Sequence, residues 1–318
     1  MHEPNRMKLQ SGTSVVVPVY NSAPFLLDLA NELEPILASL ELPFELILVN
    51  DGSRDDSWTM VEQLAAKNDW IRGFNLMRNY GQHNALLCGI REAKYACTVT
   101  MDDDLQNPPE EIPRILSKLK EGFDVVYGVP LIQQHGLLRD LASETTKIVL
   151  SNAMGAEIAR NVSAFRAFRT HVRDAFRNYQ GPWVSIDVLL TWGTTRFGAL
   201  PVRHDPRREG TSGYTVGKLI RHALNMITGF STLPLQIASM IGFACALFGL
   251  FLLSFVLARY FFRGGSIPGF PFLASMIAIF SGTQMFTIGI IGEYLGRVHL
   301  RTMDRPAYTV RISTHDIR

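Results

Sequence analysis

Three aspartates crowd positions 102–104, inside the stretch TMDDDLQNPPEE that covers residues 100–111. The six residues ahead of them, Ala96-Cys97-Thr98-Val99-Thr100-Met101, read as a short buried strand. Asn107-Pro108-Pro109-Glu110-Glu111 reads as the start of a helix, with Asn107 as its cap and the prolines in its first turn. Carboxylates at the carboxyl end of a strand stand where α/β folds bind ligands. Three like charges in a row repel one another and call for a cation. A hard divalent ion held through oxygen by Asp102, Asp104 and Gln106 answers that need. The plainer account of the same residues is a solvated acidic turn that only caps a helix.

Something must hold such a turn in place, and the first half of the chain supplies alternating strands and helices. Apolar runs at residues 13–19 (TSVVVPV), 44–49 (FELILV), 71–76 and 124–127 read as further strands. Between them, Leu29, Leu33, Ile36, Leu37 and Leu40 recur at helical spacing after a Ser22-Ala23-Pro24 start, and Pro35 is expected to bend or divide that helix. Similar faces follow at Trp58, Val61, Leu64 and Ala65, at Leu86, Leu87, Ile90 and Ala93, and at Ile112, Ile115, Leu116 and Leu119. This alternation predicts an α/β domain with a largely parallel sheet covered on both faces. In such a sheet the turns Tyr20-Asn21, Asp51-Gly52-Ser53 and 102–106 gather at one edge as a crevice. Asp51 in a DGS turn is ordinary turn chemistry, but level with the acidic turn its carboxylate can bond a nucleobase or a ribose. No GxxxxGK[ST] or GxGxxG pattern is present, so a nucleotide in the crevice would rely on the metal to neutralise its phosphates.

Composition sets outer limits. Lysines and arginines number 31 against 29 acidic residues among 318, a balance that points to no nucleic-acid partner. Cys88, Cys97 and Cys245 lie scattered in apolar surroundings, with no CxxC or His pairing, and fit a reducing compartment better than a disulfide frame or a zinc site. Residues 1–10 are polar, so no secretory signal is expected.

Five blocks, VVVPVYN (15–21), LVNDGSRDDS (48–57), RNYGQHNAL (78–86), MDDDLQNPPEEIP (101–113) and IGEYLGR (291–297), resemble in content and order the family 2 glycosyltransferases that load polyprenyl-phosphate carriers. The undecaprenyl-phosphate formamidoarabinose and bactoprenol glucosyl branches are nearer, the dolichyl-phosphate mannose synthases more distant. The resemblance implies a GT-A (Rossmann-like) fold, a nucleotide-sugar donor, Mg²⁺ or Mn²⁺, inversion at the anomeric carbon and a homotetramer. It implies that Pro18, Tyr20, Asn21, Asp51 and Arg78 hold the nucleotide sugar and that Asp102, Asp104 and Gln106 hold the metal and diphosphate, with Asp104 central to catalysis. Asp103 falls where close relatives carry alanine and is expected to be a bystander. Arg139 and Ser143 match family positions on the acceptor side, where a solvated helix face explains them equally well.

Two positions depart from the pattern. Arg160 stands where the family has an aspartate sometimes proposed as the base, and Gly213 where it usually has lysine. The first loss is survivable, because a phosphate monoester with a second pKa near ~6 is already largely ionised at neutral pH and needs little help from a base. The difficulty is charge, since a dianion must approach a diphosphate. Arg207, with Arg208 beside it, and Arg160 are therefore candidates for binding the acceptor phosphate or the leaving diphosphate through their forked donors. His83 and Asp187 face the same region in this reading, His83 as packing or capping and Asp187 without an assigned role.

The second half is organised by hydrophobicity. Residues 237–262 form an apolar run broken only by Arg259, and a second run covers about 270–291 without lysine or arginine. Each is long enough to cross a bilayer, and the short glycine-rich connector makes them a transmembrane hairpin. Ser281, Gly282 and Thr283 suit close helix packing in lipid. Lys218, Arg221, Arg297, Arg301 and Arg305 flank the two ends, against Arg259 and Arg263 at the loop, which puts both termini and the catalytic domain in the cytoplasm. Residues 216–230 carry an amphipathic pattern suited to the interface or to a face of the catalytic domain. The expected layout is a catalytic domain over 1–205, a basic loop and juxtamembrane helix over 206–235, a membrane hairpin over 236–296 and a cytoplasmic tail over 297–318, whose part after Arg305 is a short interfacial strand or disordered. The corresponding function is a multi-pass inner-membrane enzyme moving a sugar from a nucleotide sugar, UDP favoured, to polyprenyl phosphate. A processive polysaccharide synthase would want a QxxRW motif, which Gln180-Gly181-Pro182-Trp183 does not match, and the intact acidic set argues against a degenerate scaffold.

Overall fold

The computed structural model describes residues 9–130, 162–181, 184–205, 233–263, 269–303 and 305–316. Two compact units result: Met1–Ile220 with Arg305–Arg318, and Arg221–Asp304.

The first unit is an α/β domain built on an eight-stranded sheet. Strand β1 (Gln10–Val19) and strand β2 (Phe44–Asn50) are linked by α1 (Leu26–Ala38). Helix α2 (Ser57–Lys67) leads to β3 (Ile71–Leu76), and α3 (Gln82–Glu92) leads to β4 (Tyr95–Thr100). These four strands are parallel neighbours in the order β4-β1-β2-β3, with β1 and β2 buried along nearly their whole length between helices. Val15, Val16 and Val17 on β1 and Leu46, Ile47, Leu48 and Val49 on β2 are continuous apolar runs because strands covered on both faces have no solvent side to alternate with. The core under α1 and α2 joins Val15, Val17, Leu29, Leu33, Leu46, Leu48, Val61 and Leu64, all buried.

Past the acidic turn, a 3-10 turn (Pro109–Glu111) opens α4 (Ile112–Lys120), then β5 (Val125–Pro130) follows. Further along come β6 (Arg166–Arg169), a 3-10 helix (Thr170–Phe176), α5 (Ile186–Gly193) and β7 (Phe197–Val202). The full order is β7-β5-β6-β4-β1-β2-β3-β8, with β5 and β7 parallel, while β6 runs antiparallel to both β4 and β5. The sheet is thus parallel through β1–β4, as expected, and mixed beyond it.

Several local expectations are corrected. Pro35 sits inside an unbroken α1 one turn from its end, where the missing amide costs a single bond. Neither Ser22 nor Asn107 caps a helix: α1 begins after Phe25, and the cap positions ahead of the 3-10 turn and α4 are Pro108 and Glu111. The stretch after Arg305 holds the short strand expected of it. Residues Val310–Ser313 form β8, which pairs antiparallel with β3 and completes the sheet edge.

The second unit contains two long helices, α6 (Leu233–Arg263) and α7 (Phe270–Thr302). The second helix runs beyond the 291–296 limit expected for the hairpin. Cys245 Sγ lies 3.9 Å from Thr283 Oγ1, and Gly249 faces the Phe280 ring, so close approach uses Gly249 and Thr283, while Gly282 has open space around it. The hydroxyls of Ser254, Thr283 and Thr287 donate to carbonyls one turn back, at Leu250, Ile279 and Thr283. Among the described residues, one helix window, Leu235–Leu252, is long and apolar enough to cross a membrane, with a mean hydropathy of 2.1 and almost none of it buried.

Candidate active site

The switch point of the sheet lies at β1, where the chain first builds outward through β2 and β3 and then returns to the other side with β4. Ligands in open α/β sheets bind outside the carboxyl ends of strands at such a point. The register puts Val19, Asn50 and Asn75 level, and pairs Val16 with Thr100, so the turns after β1, β2 and β4 open onto one edge. Pro18 lies beyond the last β1–β4 pair, where a missing amide donor removes nothing from that ladder.

Hydrogen bonds join these turns to one another. The Asn21 amide donates to Ser53 Oγ at 3.0 Å, and the Arg54 amide donates back to Asn21 Oδ1 at 2.8 Å. Ser53 Oγ in turn donates to Asn50 Oδ1 at 2.5 Å, and Asn50 Nδ2 to Asn75 Oδ1 at 2.9 Å. Asn21 adopts a left-handed conformation (φ 54°), which asparagine tolerates better than most residues. Tyr20 presents its ring to solvent, and Arg78 stacks its guanidinium over Tyr80 at 4.7 Å.

Asp51 is buried and accepts from two backbone amides, Tyr80 N at 2.7 Å on one oxygen and Gly81 N at 2.8 Å on the other. Burial raises its pKa, and those two amides pull it part of the way back. Its shown role is to hold the loop between β3 and α3. Gly52 makes that approach possible. It has φ 65°, and a Cβ there would lie 2.5 Å from the Arg78 carbonyl carbon and 2.6 Å from the Asn79 nitrogen.

The loop held by Asp51 reaches the acidic turn, since Gln82 Nε2 donates to Asp102 Oδ1 at 2.6 Å. Asp104 is buried and accepts from the Gln106 amide at 3.2 Å across Leu105, a buried non-glycine residue at φ 56°. A left-handed leucine costs about 1–2 kcal/mol, and strain of this kind persists where surrounding contacts dictate the backbone, commonly at ligand sites. Asp103, between Asp102 and Asp104, lies close to Ser22 and Tyr20 of the β1 turn. Burial, with a smaller contribution from Asp104, pushes its pKa up to about 6.

The loop after β7 closes over the same place. The Asp205 amide donates to the Gln106 carbonyl at 2.8 Å, and His204 Nδ1 lies 3.3 Å from Asn107 Oδ1. Among the described residues no three His, Cys, Asp or Glu side chains gather as a complete metal cage. Two aspartates two residues apart are instead the donor set with which a hard cation is held when substrate phosphate and water complete its shell, so the residues fit Mg²⁺ or Mn²⁺. Arg207 and Arg208, immediately after this loop, and Arg139, Ser143 and Arg160 lie outside the described residues.

Sequence reading missed the support beneath the turn. Arg166 on β6 is buried, pairs with Asp187 at the start of α5, and donates through Nε to Thr100 Oγ1 at 3.1 Å. Thr100 Oγ1 donates to the Ala164 carbonyl at 2.8 Å, and the Tyr127 hydroxyl donates to Asp187 Oδ1 at 3.0 Å. Burial, then the Asp187 charge, keeps the Tyr127 phenol protonated well beyond its usual range. Asp187 is therefore committed to a buried ion pair. His83 Nδ1 accepts from the Ile186 amide at 3.3 Å, the packing role expected of it.

A family model described as glycosyl transferase family 2 matches residues 14–176. The undecaprenyl-phosphate 4-deoxy-4-formamido-L-arabinose transferase of Shewanella sediminis is 35% identical over 302 residues, covering 94% of this chain and 91% of that protein. Its counterpart in Klebsiella pneumoniae subsp. pneumoniae is 34% identical over 301 residues, covering 94% and 92%. Among solved structures, glucosyl-3-phosphoglycerate synthase from Mycobacterium tuberculosis, in complex with Mn²⁺, UDP and glucosyl-3-phosphoglycerate, aligns with a TM-score of 0.52 at 16% identity, over 72% of this chain and 84% of that one. That likeness is one of fold, the mixed α/β Rossmann-like GT-A architecture. With half the chain matched by the family model and relatives 34–35% identical over 94% of it, this chain belongs to glycosyl transferase family 2 and is related over nearly its whole length to the undecaprenyl-phosphate sugar transferases.

Proposed function

We infer that the protein transfers a sugar from a nucleoside-diphosphate sugar, UDP favoured, to undecaprenyl phosphate. The observation that carries this reading is the linked set of strand-end turns at the switch point, in which Asp51 and Asp102 are both hydrogen-bonded to the 80–82 loop and Asp104 accepts from the Gln106 amide beside them. Pro18, Tyr20, Asn21, Asp51 and Arg78 would receive the nucleoside, while Asp102, Asp104 and Gln106 would hold Mg²⁺ or Mn²⁺ with the diphosphate. When bound, such an ion supplies Lewis-acid stabilisation of the charge that grows on the departing diphosphate. Arg207, Arg208, Arg139, Ser143 and Arg160 are the candidates for holding the acceptor phosphate. A phosphate oxygen attacks the anomeric carbon, the bond from that carbon to the β-phosphate oxygen breaks, and nucleoside diphosphate leaves with inversion. The acceptor is already ionised, so no proton has to be removed first.

The reading places α6 and α7 in a membrane as a two-pass hairpin. Large side chains such as Met240, Phe243, Met285 and Leu295 stand more than 60% exposed on these helices, a density of apolar surface that water does not favour. Because β8 belongs to the catalytic unit, both outer ends of the pair lead to the same domain and thus to one side of the bilayer. The basic residues at those ends make that side the cytoplasm, at the inner membrane, with a tetramer as the assembly. Full-length protein incubated with Mn²⁺, radiolabelled UDP-sugars and undecaprenyl phosphate tests the reading. A labelled single-sugar lipid supports it, whereas polymer, or no product across a broad donor panel, refutes it. Arg207→Ala transferring at the wild-type rate would remove that residue from the acceptor site.

A further inference from the structure

We propose that the C-terminal segment, residues 305–316, is a positioning strap for the donor-binding loop between β3 and α3, with Tyr308 as its principal side chain; the proposal rests on the reading of that loop as part of a nucleotide site. The strap runs antiparallel along β3, pairing Phe74 with Ser313, Asn75 with Ile312 and Leu76 with Val310. Its bonds continue past both ends of the ladder. The Met77 amide donates to the Thr309 carbonyl at 2.9 Å, while the Gly73 amide donates to Thr314 Oγ1 at 2.9 Å and the Thr314 amide to the Gly73 carbonyl at 3.0 Å. The Ser313 hydroxyl and amide both donate to Asp316, closing the end of the strap on itself. Tyr308 grips α3 from the same side. The Arg91 guanidinium lies 5.5 Å from its ring centroid, on the helix that also carries the buried Cys88.

The strap therefore fastens the strand before the 78–81 loop and the helix after it. Every link from that loop to the site lies between those two anchor points. Tyr80 and Gly81 donate to Asp51, Gly52 packs on the Arg78–Asn79 backbone, and Gln82 donates to Asp102. Met77 is the last residue of this run with a partner on the strap, so loss of the strap lets the loop fray from its strand side. An edge strand left with unpaired amides is also the part of a sheet least held in register. The ring partner of Tyr308, Arg91, is not among the residues assigned to the nucleotide or the metal. Tyr308 is a positioning residue that acts through α3 and the loop.

Hydrogen–deuterium exchange of full-length protein in detergent, read on the peptide covering residues 77–84, tests the strap without any appeal to turnover. Tyr308→Ala is expected to speed exchange there at least tenfold, leave the peptide covering residues 125–130 in β5 unchanged, and weaken UDP binding in Mn²⁺ three- to tenfold. Tyr308→Phe, which keeps the ring on Arg91, is expected to restore most of the protection, and Thr314→Val to loosen the β3 side alone. Wild-type exchange at 77–84 in Tyr308→Ala overturns the proposal, and so does equal acceleration in β5, which would mean general loosening. Should wild-type protein fail to bind UDP, the donor assignment falls, while the exchange comparison still decides the strap.

Discussion

Replacing Gly52 by alanine strikes the contact on which the nucleotide side of the site turns. The new methyl group would have to occupy space 2.5 Å from the Arg78 carbonyl carbon and 2.6 Å from the Asn79 nitrogen, both backbone atoms that cannot rotate away. Holding alanine at φ 65° costs about 1–2 kcal/mol by itself. Relieving the clash means withdrawing the 51–53 turn from the loop, which weakens the bonds from Tyr80 and Gly81 to the Asp51 carboxylate. A hydrogen bond to a charged group contributes about 1.5–3 kcal/mol, so losing one of the two brings the total to roughly 2.5–5 kcal/mol. If most of this falls on folding, Tm drops by about 5–20 °C in a domain of this size. Each ~1.4 kcal/mol that falls on ligand binding instead raises the Kd for UDP tenfold. Calorimetric melting in metal-free buffer and UDP titration in Mn²⁺ read the two shares separately. Adding Asp51→Ala should cost less in the Gly52→Ala background than in wild type, because both changes act on the same bonds. A variant with wild-type Tm and wild-type Kd would refute the reasoning.

Asp104→Asn should reduce transfer at least about a thousandfold while Tm stays within a few degrees, whereas Asp103→Ala, outside the expected metal pair, should cost about tenfold; equal losses in a radiolabel assay would mean that the wrong carboxylates have been paired with the metal. At Asp124, burial pushes the pKa up but is outweighed by the Thr194 hydroxyl and the Arg196 guanidinium, leaving it below the usual value of 3.8. A depressed carboxylate stabilises the fold above its unfolded pKa and loses that contribution as pH falls through the folded one. Asp124→Asn should therefore melt lower than wild type near pH 7, by about 1–2 kcal/mol given the exposed Arg196 partner, with the gap closing below about pH 4. Cys88, buried and pushed up to about 12, should resist alkylation at pH 8 in native protein and react once it is denatured, as mass spectrometry of the labelled peptide would show.

The parallel core was legible because each of its elements announces itself locally. Val15–Val19 and Leu46–Val49 are continuous apolar runs that end in polar turns, and the helix faces between them repeat at helical spacing. Level turns then followed from parallel pairing alone. The mixed side of the sheet was hidden for the opposite reason. Arg166-Ala167-Phe168-Arg169 begins and ends on arginine and reads as surface, yet Arg166 is buried because Asp187 and Thr100 compensate its charge from other elements. That compensation is invisible without the fold. Asp51 was recognised as level with the acidic turn, while its bonds to the Tyr80 and Gly81 amides depend on a loop conformation set by Gly52 and Gly81 at positive φ. Val310–Ser313 is a four-residue edge strand, too short to give a periodic signal and separated from its partner by the two long helices.

That separation has a consequence for how the protein is made. Thr314 lies 241 positions after its partner Gly73, so at about 5–20 residues per second the edge of β3 waits roughly 12–50 s on the ribosome for its last neighbour. Both apolar helices emerge during that interval and must find their surroundings before the sheet is whole. Through this period β3 offers an open ladder to other nascent chains, and a chain that terminates even a dozen residues early keeps it open permanently. Completion of the catalytic sheet thus reports that synthesis has run through both long helices and past Thr314.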